Sequence, residues 1–557
     1  MRSPRRTGGP AAPSTSAERR TERTNSNDQR SNNDQRSNND QKGLPPMPTV
    51  TALPARGAAS PARLAGGLRC PVTSARSTAG PRAGSDSGAG SDSGAGSNSN
   101  SASDTATGPG ATGTTPVPAG FPPPPSGTAR LLGAWQARQS ARLADHLAHH
   151  GPPALPPPRA RGWADLVARL AADAGLTGRG GAGFPTAAKL AAVARSGRRP
   201  WLVVNAMEGE PDSAKDRMLL HCAPHLVLDG AELVAAALRA DRITVCVPED
   251  RDATAAAVAA AAAEREGTGL APVAVELARP PARFVSGEES ALVSWLRRGT
   301  ALPTFRPDKS VPLTVGRHAV LVQNAETLAH VGLVARHGAA WFRQVGTDDA
   351  PGTTLVTVSG AVQRPGVVEV ELGTPIGAII AAAVPAADVA AVLVGGRGGT
   401  WLGPDALGTS LAPGPLRALG AGVGAGILVV HPAGACGIDE LARAAGALAG
   451  ESAGQCGPCV YGLPAIAGDL RRLAAAAGGA GRRGGGADAE LGDRLLRRLD
   501  AVTGRGACRH PDGVARMVES GLAVFAEDAA RHAAGLPCLA TGTPSLRDRG
   551  PGGPRTW

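Results

Sequence analysis

The apolar positions of this chain fall into three successive patterns. Short continuous apolar runs come first: Pro200 to Asn205, Arg242 to Val247 and Val273 to Leu277, each followed by a helical or turn segment. Runs of that length bounded by turn residues predict strands buried on both faces, and the Ala-rich stretch from Ala253 to Ala263 predicts the helix of a crossover unit. This βα alternation continues to about residue 345 and predicts an open sheet with helices on both faces. In Thr354-Leu-Val-Thr-Val-Ser-Gly-Ala-Val-Gln-Arg-Pro-Gly-Val-Val-Glu-Val370 the period drops to two around a Gly/Pro turn, which predicts a β-hairpin. Leu372-Gly-Thr-Pro, an Ala-rich helix to 383 and a strand from Val392 to Gly395 follow it. From Gly434 onward the pattern is helical.

Residues 1 to 128 show none of these periods. Asn-Asp-Gln-Arg-Ser-Asn units repeat between Asn27 and Gln41, Ser-Asp-Ser-Gly-Ala-Gly units repeat near 85 to 96, and large apolar side chains are almost lacking. Such a composition does not offset the entropy of ordering, so a disordered tail is expected there. The 557 residues exceed one ordinary core and predict two to four domains. The expected division is an α/β domain at 129–345, a small β domain at 346–432, a helical domain at 433–535 and a tail at 536–557.

Charge changes the picture little. The net charge is +11 and the isoelectric point about 9.9, but the arginines are scattered and the chain has 7 Trp, 6 Phe and 1 Tyr. That favours a solvated basic surface over a nucleic-acid role. No apolar core follows Arg5-Arg6, so a twin-arginine export signal is rejected, and Asp28, Asp34 and Asp40 argue against a transit peptide. No charge-free run approaches a membrane span. The expectation is a cytoplasmic protein that meets a membrane only indirectly, through partner subunits.

Candidate chemistry begins with Gly178-Arg-Gly-Gly-Ala-Gly-Phe-Pro-Thr-Ala-Ala-Lys189, a glycine loop joined to a lysine just before an apparent helix. Glycines at 178, 180, 181 and 183 permit positive φ and close approach, and the helix offers unpaired N–H groups, a cradle suited to phosphate. By itself a glycine loop is a weak signal, because surface turns carry several. Then comes Trp201-Leu-Val-Val-Asn-Ala-Met-Glu-Gly-Glu-Pro-Asp-Ser-Ala-Lys-Asp-Arg217, an apolar run breaking into polar groups, as strands do where open α/β sheets bind ligands. The plain alternative for Glu208 and Glu210 is a solvated turn before Lys215 and Arg217. Phe284-Val-Ser-Gly-Glu-Glu-Ser-Ala-Leu292 and Val322-Gln-Asn-Ala-Glu-Thr-Leu328 complete the set.

Three of the 8 cysteines sit as Cys456-Gly-Pro-Cys459 and Cys508. In an intracellular protein this grouping points to metal or redox chemistry. Iron–sulfur ligation, a zinc site of Cys456, Cys459, Cys508 and His510, and a dithiol all stand open, although a dithiol motif normally follows a strand. Cys222 and Cys246 are expected in the core; Cys70 and Cys538 are expected in the tails.

The four ordered motifs together resemble the flavin- and NADH-binding 51 kDa subunit of respiratory NADH dehydrogenase and the diaphorase subunits of hydrogenases and formate dehydrogenases, over roughly residues 163 to 530. The resemblance implies an FMN- and NADH-binding α/β domain, a β-grasp soluble-ligand-binding domain serving as a spacer, and a helical bundle with an iron–sulfur site. It implies that Gly178, Arg179, Gly180 and Lys189 lie around the flavin phosphate or nucleotide, that Asn205, Glu208, Gly287, Glu288, Asn324 and Thr327 contact flavin, that Glu210 stands at the nicotinamide end and that Phe184 stacks on adenine. It further implies Cys456, Cys459 and Cys508 as cluster ligands, with a small 2Fe–2S protein and a ferredoxin-bearing subunit as partners.

Departures from the family pattern are specific. Met207 replaces an aspartate, Phe284 a tyrosine and Gln323 an asparagine; a second stacking aromatic is missing near Ala192, and Arg306-Pro-Asp-Lys-Ser-Val-Pro312 contains no phenylalanine. The family opens its cluster motif Glu-Ser-Cys-Gly-x-Cys-x-Pro-Cys, whereas this chain reads Glu451-Ser-Ala-Gly-Gln-Cys-Gly-Pro-Cys459. Ala453 thus takes the first ligand's place, leaving a 3Fe–4S cluster, or a 4Fe–4S cluster completed by water, Ser452, His510 or a distant thiol such as Cys436. The expected function is oxidation of NADH through FMN and an iron–sulfur centre; the alternative is a degenerate paralogue acting as a scaffold or electron relay.

Overall fold

The computed structural model describes residues 50–52, 129–157, 161–308, 310–477, 489–538, 540 and 545–546. The repeats of the front segment and Cys70 lie outside the described residues. Strands β1 (Val50–Ala52), β2 (Arg199–Asn205), β3 (Ile243–Cys246), β4 (Val275–Ala278), β5 (Leu313–Val315) and β6 (His318–Asn324) form one sheet in the order β1-β4-β3-β2-β6-β5. Its inner strands β4, β3, β2 and β6 run parallel, and both edge strands are antiparallel. The chain steps outward from β2 to β4 and then crosses back to place β6 on the other side of β2. The C-terminal ends of β2 and β6 are therefore the switch point of the sheet, where open α/β folds form a crevice.

The helices around this sheet are α1 (Thr186–Ala194), α2 (Lys215–Cys222), α3 (Pro224–Leu238), α4 (Asp252–Arg265), α5 (Glu289–Arg298) and α6 (Ala325–Phe342). Alternation along β2 explains its unbroken apolar run. Leu202 and Val204 enter the core built with α3 and α6, while Trp201 and Val203 enter the opposite core built with Leu292, Trp295 and Leu296 of α5. A Cβ at Gly230 on α3 would stand 1.8 Å from the Leu328 carbonyl oxygen on α6, so glycine lets these two helices cross closely enough to seal the first core.

The second sheet holds β7 (Thr353–Gly360), β8 (Gly366–Glu371), β9 (Val389–Val394), β10 (Thr400–Leu402) and β11 (Ile427–Pro432), in the order β10-β9-β11-β7-β8. The hairpin expected over 354–370 is β7–β8, and the Ala-rich helix is α7 (Ile376–Ala382). Val392, Val394, Leu428 and Val430 face the core with Ile376, Ile379 and Ile380 of α7. Their neighbours Ala391, Leu393, Ile427 and Val429 face the C-terminal helices. Both faces of the sheet are thus covered by protein.

The last region comprises α8 (Gly437–Gly450), α9 (Leu463–Ala476), α10 (Ala489–Val502), α11 (His510–Val524) and α12 (Ala526–Ala533). Among the described residues no single helix is long and apolar enough to cross a membrane.

Candidate functional site

Asn205 and Asn324 are the last residues of β2 and β6 and pair in register, so the switch point is floored by two side-chain amides. Asn205 donates from Nδ2 to the Gly287 carbonyl at 2.9 Å. Asn324 caps α6 by accepting from the Glu326 N–H at 3.1 Å and donates from Nδ2 to Asp216 at 2.7 Å. Two adjoining hollows of about 350 and 410 Å3 open here, sharing Gly180, Asn205, Gly287, Glu288, Asn324 and Cys508 in their walls. Each is of ligand-binding size.

Of the glycines in the 178–183 loop, only Gly181 and Gly183 take positive φ, at 110° and 60°. Gly180 is needed for room instead: a Cβ there would meet that of Asn324 at 3.3 Å. Lys189 reaches the second hollow from α1, with Nζ 3.0 Å from Glu289 and 3.1 Å from the Val322 carbonyl oxygen. Its charge is therefore balanced by Glu289 at the start of α5.

Eleven of the twelve expected cofactor contacts line the two hollows, and Arg179 is the exception. Its guanidinium is buried and turned away, donating to Thr177 Oγ1 at 3.0 Å and to the Thr353 carbonyl at 3.2 Å, so it ties the glycine loop to the second sheet. The Arg179 backbone N–H donates to Thr327 Oγ1 at 2.9 Å, which gives Thr327 the role of holding the loop against α6.

The acidic segment is no solvated turn. Glu208 has φ 41°, uncommon for a residue with a side chain, and its Oε1 accepts from Ser213 Oγ and from the Asp216 N–H, both at 2.9 Å. Burial first, then the nearby Asp216 carboxylate, raises its pKa. Glu210 rests on the loop between β9 and β10, where its Oε2 accepts from the Arg397 N–H at 3.1 Å and a Cβ at Gly396 would fall 2.5 Å from its Oε1. Burial pushes the Glu210 carboxyl up to about 7. Beside it Asp212 and Arg397, both buried, pair at 2.8 Å. Gly395-Gly-Arg-Gly-Gly399 thus brings the second sheet into the crevice wall; its paired glycines around one arginine were the available sign.

Glu288 accepts at the N-terminus of α5 from the N–H groups of Ser290 and Ala291, at 2.8 and 3.0 Å. Lys215, under the crevice floor, contacts Asp216 at 2.7 Å and Glu326 at 2.9 Å while only 3% of its side chain is exposed. Phe184 at the mouth is joined by Phe305, 72% exposed in the wall of the same hollow. The position near Ala192 holds no second aromatic, but Phe305, immediately before Arg306, stands at the mouth.

Cys456 and Cys459 open the π-helical turn Pro458–Gly462 that leads into α9, and Cys508 precedes α11. No strand precedes the Cys-Gly-Pro-Cys motif. Burial and the sulfurs of Cys456 and Cys508 push the Cys459 thiol up to about 12, while burial pushes Cys508 to about 11. A metal group held by all three would take them as thiolates and displace their protons. Ala453 is buried, one residue before Gly454, whose backbone N–H bonds to the Cys459 sulfur. Cys436 is not a fourth ligand to this set, because it precedes the 14-residue helix α8 whose other end leads into the 451–459 loop, about 21 Å along the axis. His510 Nε2 lies 2.9 Å from the Leu448 carbonyl oxygen. Cys508 itself lines both hollows, so the thiol group opens on the crevice. Glu451 fastens this junction, accepting from Arg283 Nε at 3.0 Å and the Phe284 N–H at 3.1 Å.

Residues 171–333 match the family described as the Nuo51 FMN-binding domain, 355–384 the SLBB domain, and 439–532 the NADH-ubiquinone oxidoreductase-F iron-sulfur binding region. The F subunit of the NADH-quinone oxidoreductase of Mycobacterium tuberculosis is 30% identical over 394 residues, 67% of this chain and 86% of that protein. The chain belongs to the F-subunit family of NADH-quinone oxidoreductases. The F 2 subunit of the Rhizobium meliloti enzyme is similar to it at 29% identity, over 66% of this chain and 89% of the relative. Among solved structures, NAD+-reducing NiFe hydrogenase in its air-oxidised state is similar with a TM-score of 0.60 and 32% identity. The match covers 67% of this chain and 63% of that one. In this F-type chain the FMN-binding match contains all the crevice residues of the first sheet, and the iron–sulfur match contains Cys456, Cys459 and Cys508. Cys222 and Cys246 are buried core residues, as expected.

Proposed function

We propose that this chain is the NADH-oxidising flavoprotein subunit of a larger oxidoreductase, its crevice holding FMN and Cys456, Cys459 and Cys508 holding an iron–sulfur cluster. Cys508 in the wall of the crevice carries the reading, because it puts the metal-ligand set beside the cofactor space without an intervening element. Bound there, FMN would supply two-electron hydride acceptance and one-electron release.

The protein's own part is binding and orientation. Gly180 admits a flat ligand against Asn324, Asn205 and Asn324 present fixed amides, and Glu288 is immobilised by the α5 N-terminus. Lys189 offers a cation to a phosphate in exchange for Glu289. Glu210, held by the 395–399 loop, is the acceptor for the nicotinamide end, and Phe184 with Phe305 forms the adenine end. Three thiolates favour a 3Fe–4S cluster, or a 4Fe–4S cluster with one non-thiolate position. Electrons then pass to partner subunits, for which a 2Fe–2S protein and a ferredoxin-bearing subunit are the expected classes.

An anaerobic absorption spectrum of the iron-reconstituted, FMN-loaded chain tests this. Flavin bands that bleach on adding NADH, over a broad cluster absorption, are expected; flavin that ignores both NADH and NADPH would turn the reading to a non-catalytic scaffold. Phe305→Ala is expected to remove about 0.5–1.5 kcal/mol of stacking, raising KM for NADH roughly two- to tenfold with kcat unchanged. Steady-state kinetics with an artificial acceptor measures this, and an unchanged KM would remove Phe305 from the nucleotide site.

A further inference from the structure

Cys538 does not lie in a tail. After α12, Gly535 takes φ 66° and Arg531 donates to the Pro537 carbonyl at 2.9 Å, which turns the chain back so that Cys538 meets Cys436 at the start of α8 and His532 on α12. The two sulfurs and the imidazole nitrogen all lie within 4.8 Å of one another. We propose that Cys436, His532 and Cys538 form a zinc-binding site, separate from the iron–sulfur ligands, that clasps the helical domain shut.

Geometry supports this beyond mere proximity. Cys436 Sγ and His532 Nε2 are 3.4 Å apart. Zinc bond lengths of about 2.3 Å to sulfur and 2.0–2.1 Å to nitrogen, at a tetrahedral angle, require about 3.5 Å. On the opposite side of the ring, Nδ1 of the buried His532 lies 3.1 Å from the Leu473 carbonyl oxygen, an acceptor only. Nδ1 is therefore the protonated nitrogen and Nε2 presents its lone pair to the sulfurs, the orientation that outer partners impose on metal-ligating histidines. Cys436 Sγ also accepts from the Asp439 N–H at 3.3 Å at the N-terminus of α8, which fixes the position of the sulfur beside His532.

Two thiolates and one imidazole form a soft donor set of zinc's class, with a fourth position left to water. The site joins three helices at the end remote from the cluster: Cys436 opens α8, His532 belongs to α12, and Leu473 lies on α9. A bound cation would hold the return segment after α12 against the helix that leads into the 451–459 loop.

The test is the metal content of full-length protein produced with added zinc, counted separately from iron. Wild type and Cys456→Ser/Cys459→Ser/Cys508→Ser are expected to hold about one zinc per chain, whereas Cys538→Ser and His532→Gln should each retain below about a tenth while keeping FMN and iron. Cobalt supplied alone to the Cys456→Ser/Cys459→Ser/Cys508→Ser protein should give the visible bands of a tetrahedral thiolate complex and lose them when Cys538→Ser is added. The proposal is overturned if the two single variants hold as much zinc as wild type, or if wild type takes up FMN and iron but no zinc. It is equally overturned if peptide mapping of non-reduced protein finds Cys436 and Cys538 joined in a disulfide.

Discussion

Replacing Lys215 by methionine is expected to destabilise the protein by about 3–5 kcal/mol and to release its flavin. Lys215 Nζ contacts Asp216 and Glu326 under the crevice and lies 3.4 Å from the Asn324 amide oxygen. Glu326 in turn accepts through its other oxygen from Thr354 Oγ1 and the Leu355 N–H, both at 2.9 Å, so the network bolts the second sheet to the first. Burial opposes the ammonium charge, but Asp216 and Glu326 outweigh it and raise the Lys215 pKa. Without the cation two buried carboxylates remain at the crevice floor without their counter-charge. Lys215→Met/Glu326→Gln removes one of them together with the lysine and should recover more than half of the loss, a coupling that a double-mutant cycle isolates. Burial raises the Asp216 pKa even beside the lysine. A raised carboxyl pKa contributes stability at low pH that disappears as pH rises through it, so the single variant should lose less at pH 5 than at pH 8. Urea midpoints and flavin fluorescence read both effects; a midpoint shift under about 1 kcal/mol with flavin retained would exclude the network from this role.

Lys215 also marks where the sequence stops being readable. Between Glu208 and Arg217 charged residues crowd together, and local pattern alone calls that a wet turn. Lys215 at its end is buried because Thr354 and Leu355 of β7, some 140 residues later, hold Glu326 of α6 against it. The buried strands were legible for the opposite reason: Trp201 to Val204 faces two cores at once, so apolarity at every position is itself the signal. The β5–β6 hairpin escaped because only its end carries a motif. Asn205 and Asn324 could be named one at a time, but their meeting depends on parallel register between strands separated by four helices and three further strands. Arg179 shows the converse error, since a glycine loop announces an anion site without saying which way an adjacent side chain turns. Cys538 was hidden by a reversal after α12 that one glycine permits.

Cys508→Ser and Ala453→Cys should move the cluster in opposite directions while leaving NADH-dependent bleaching of the flavin in place. Serine is nearly isosteric with cysteine, so the crevice wall keeps its shape, but a hard hydroxyl is a poor substitute for a thiolate on iron. Cys508→Ser should therefore lose the broad cluster absorption and transfer no electrons to a protein acceptor. Ala453 is buried next to Gly454, whose backbone N–H donates to the Cys459 sulfur, so a thiol at 453 starts one residue from an existing sulfur contact. Each iron of a cubane needs one protein ligand; three thiolates leave one iron position weakly held. Wild type is expected to retain about three irons per chain after mild oxidation and Ala453→Cys about four, with the paramagnetic resonance of the oxidised three-iron form present in the first and lost in the second. Equal iron retention in the two proteins would mean that a non-thiolate group already completes the site. Loss of flavin bleaching in Cys508→Ser would instead assign that thiol to the nucleotide crevice rather than to the metal.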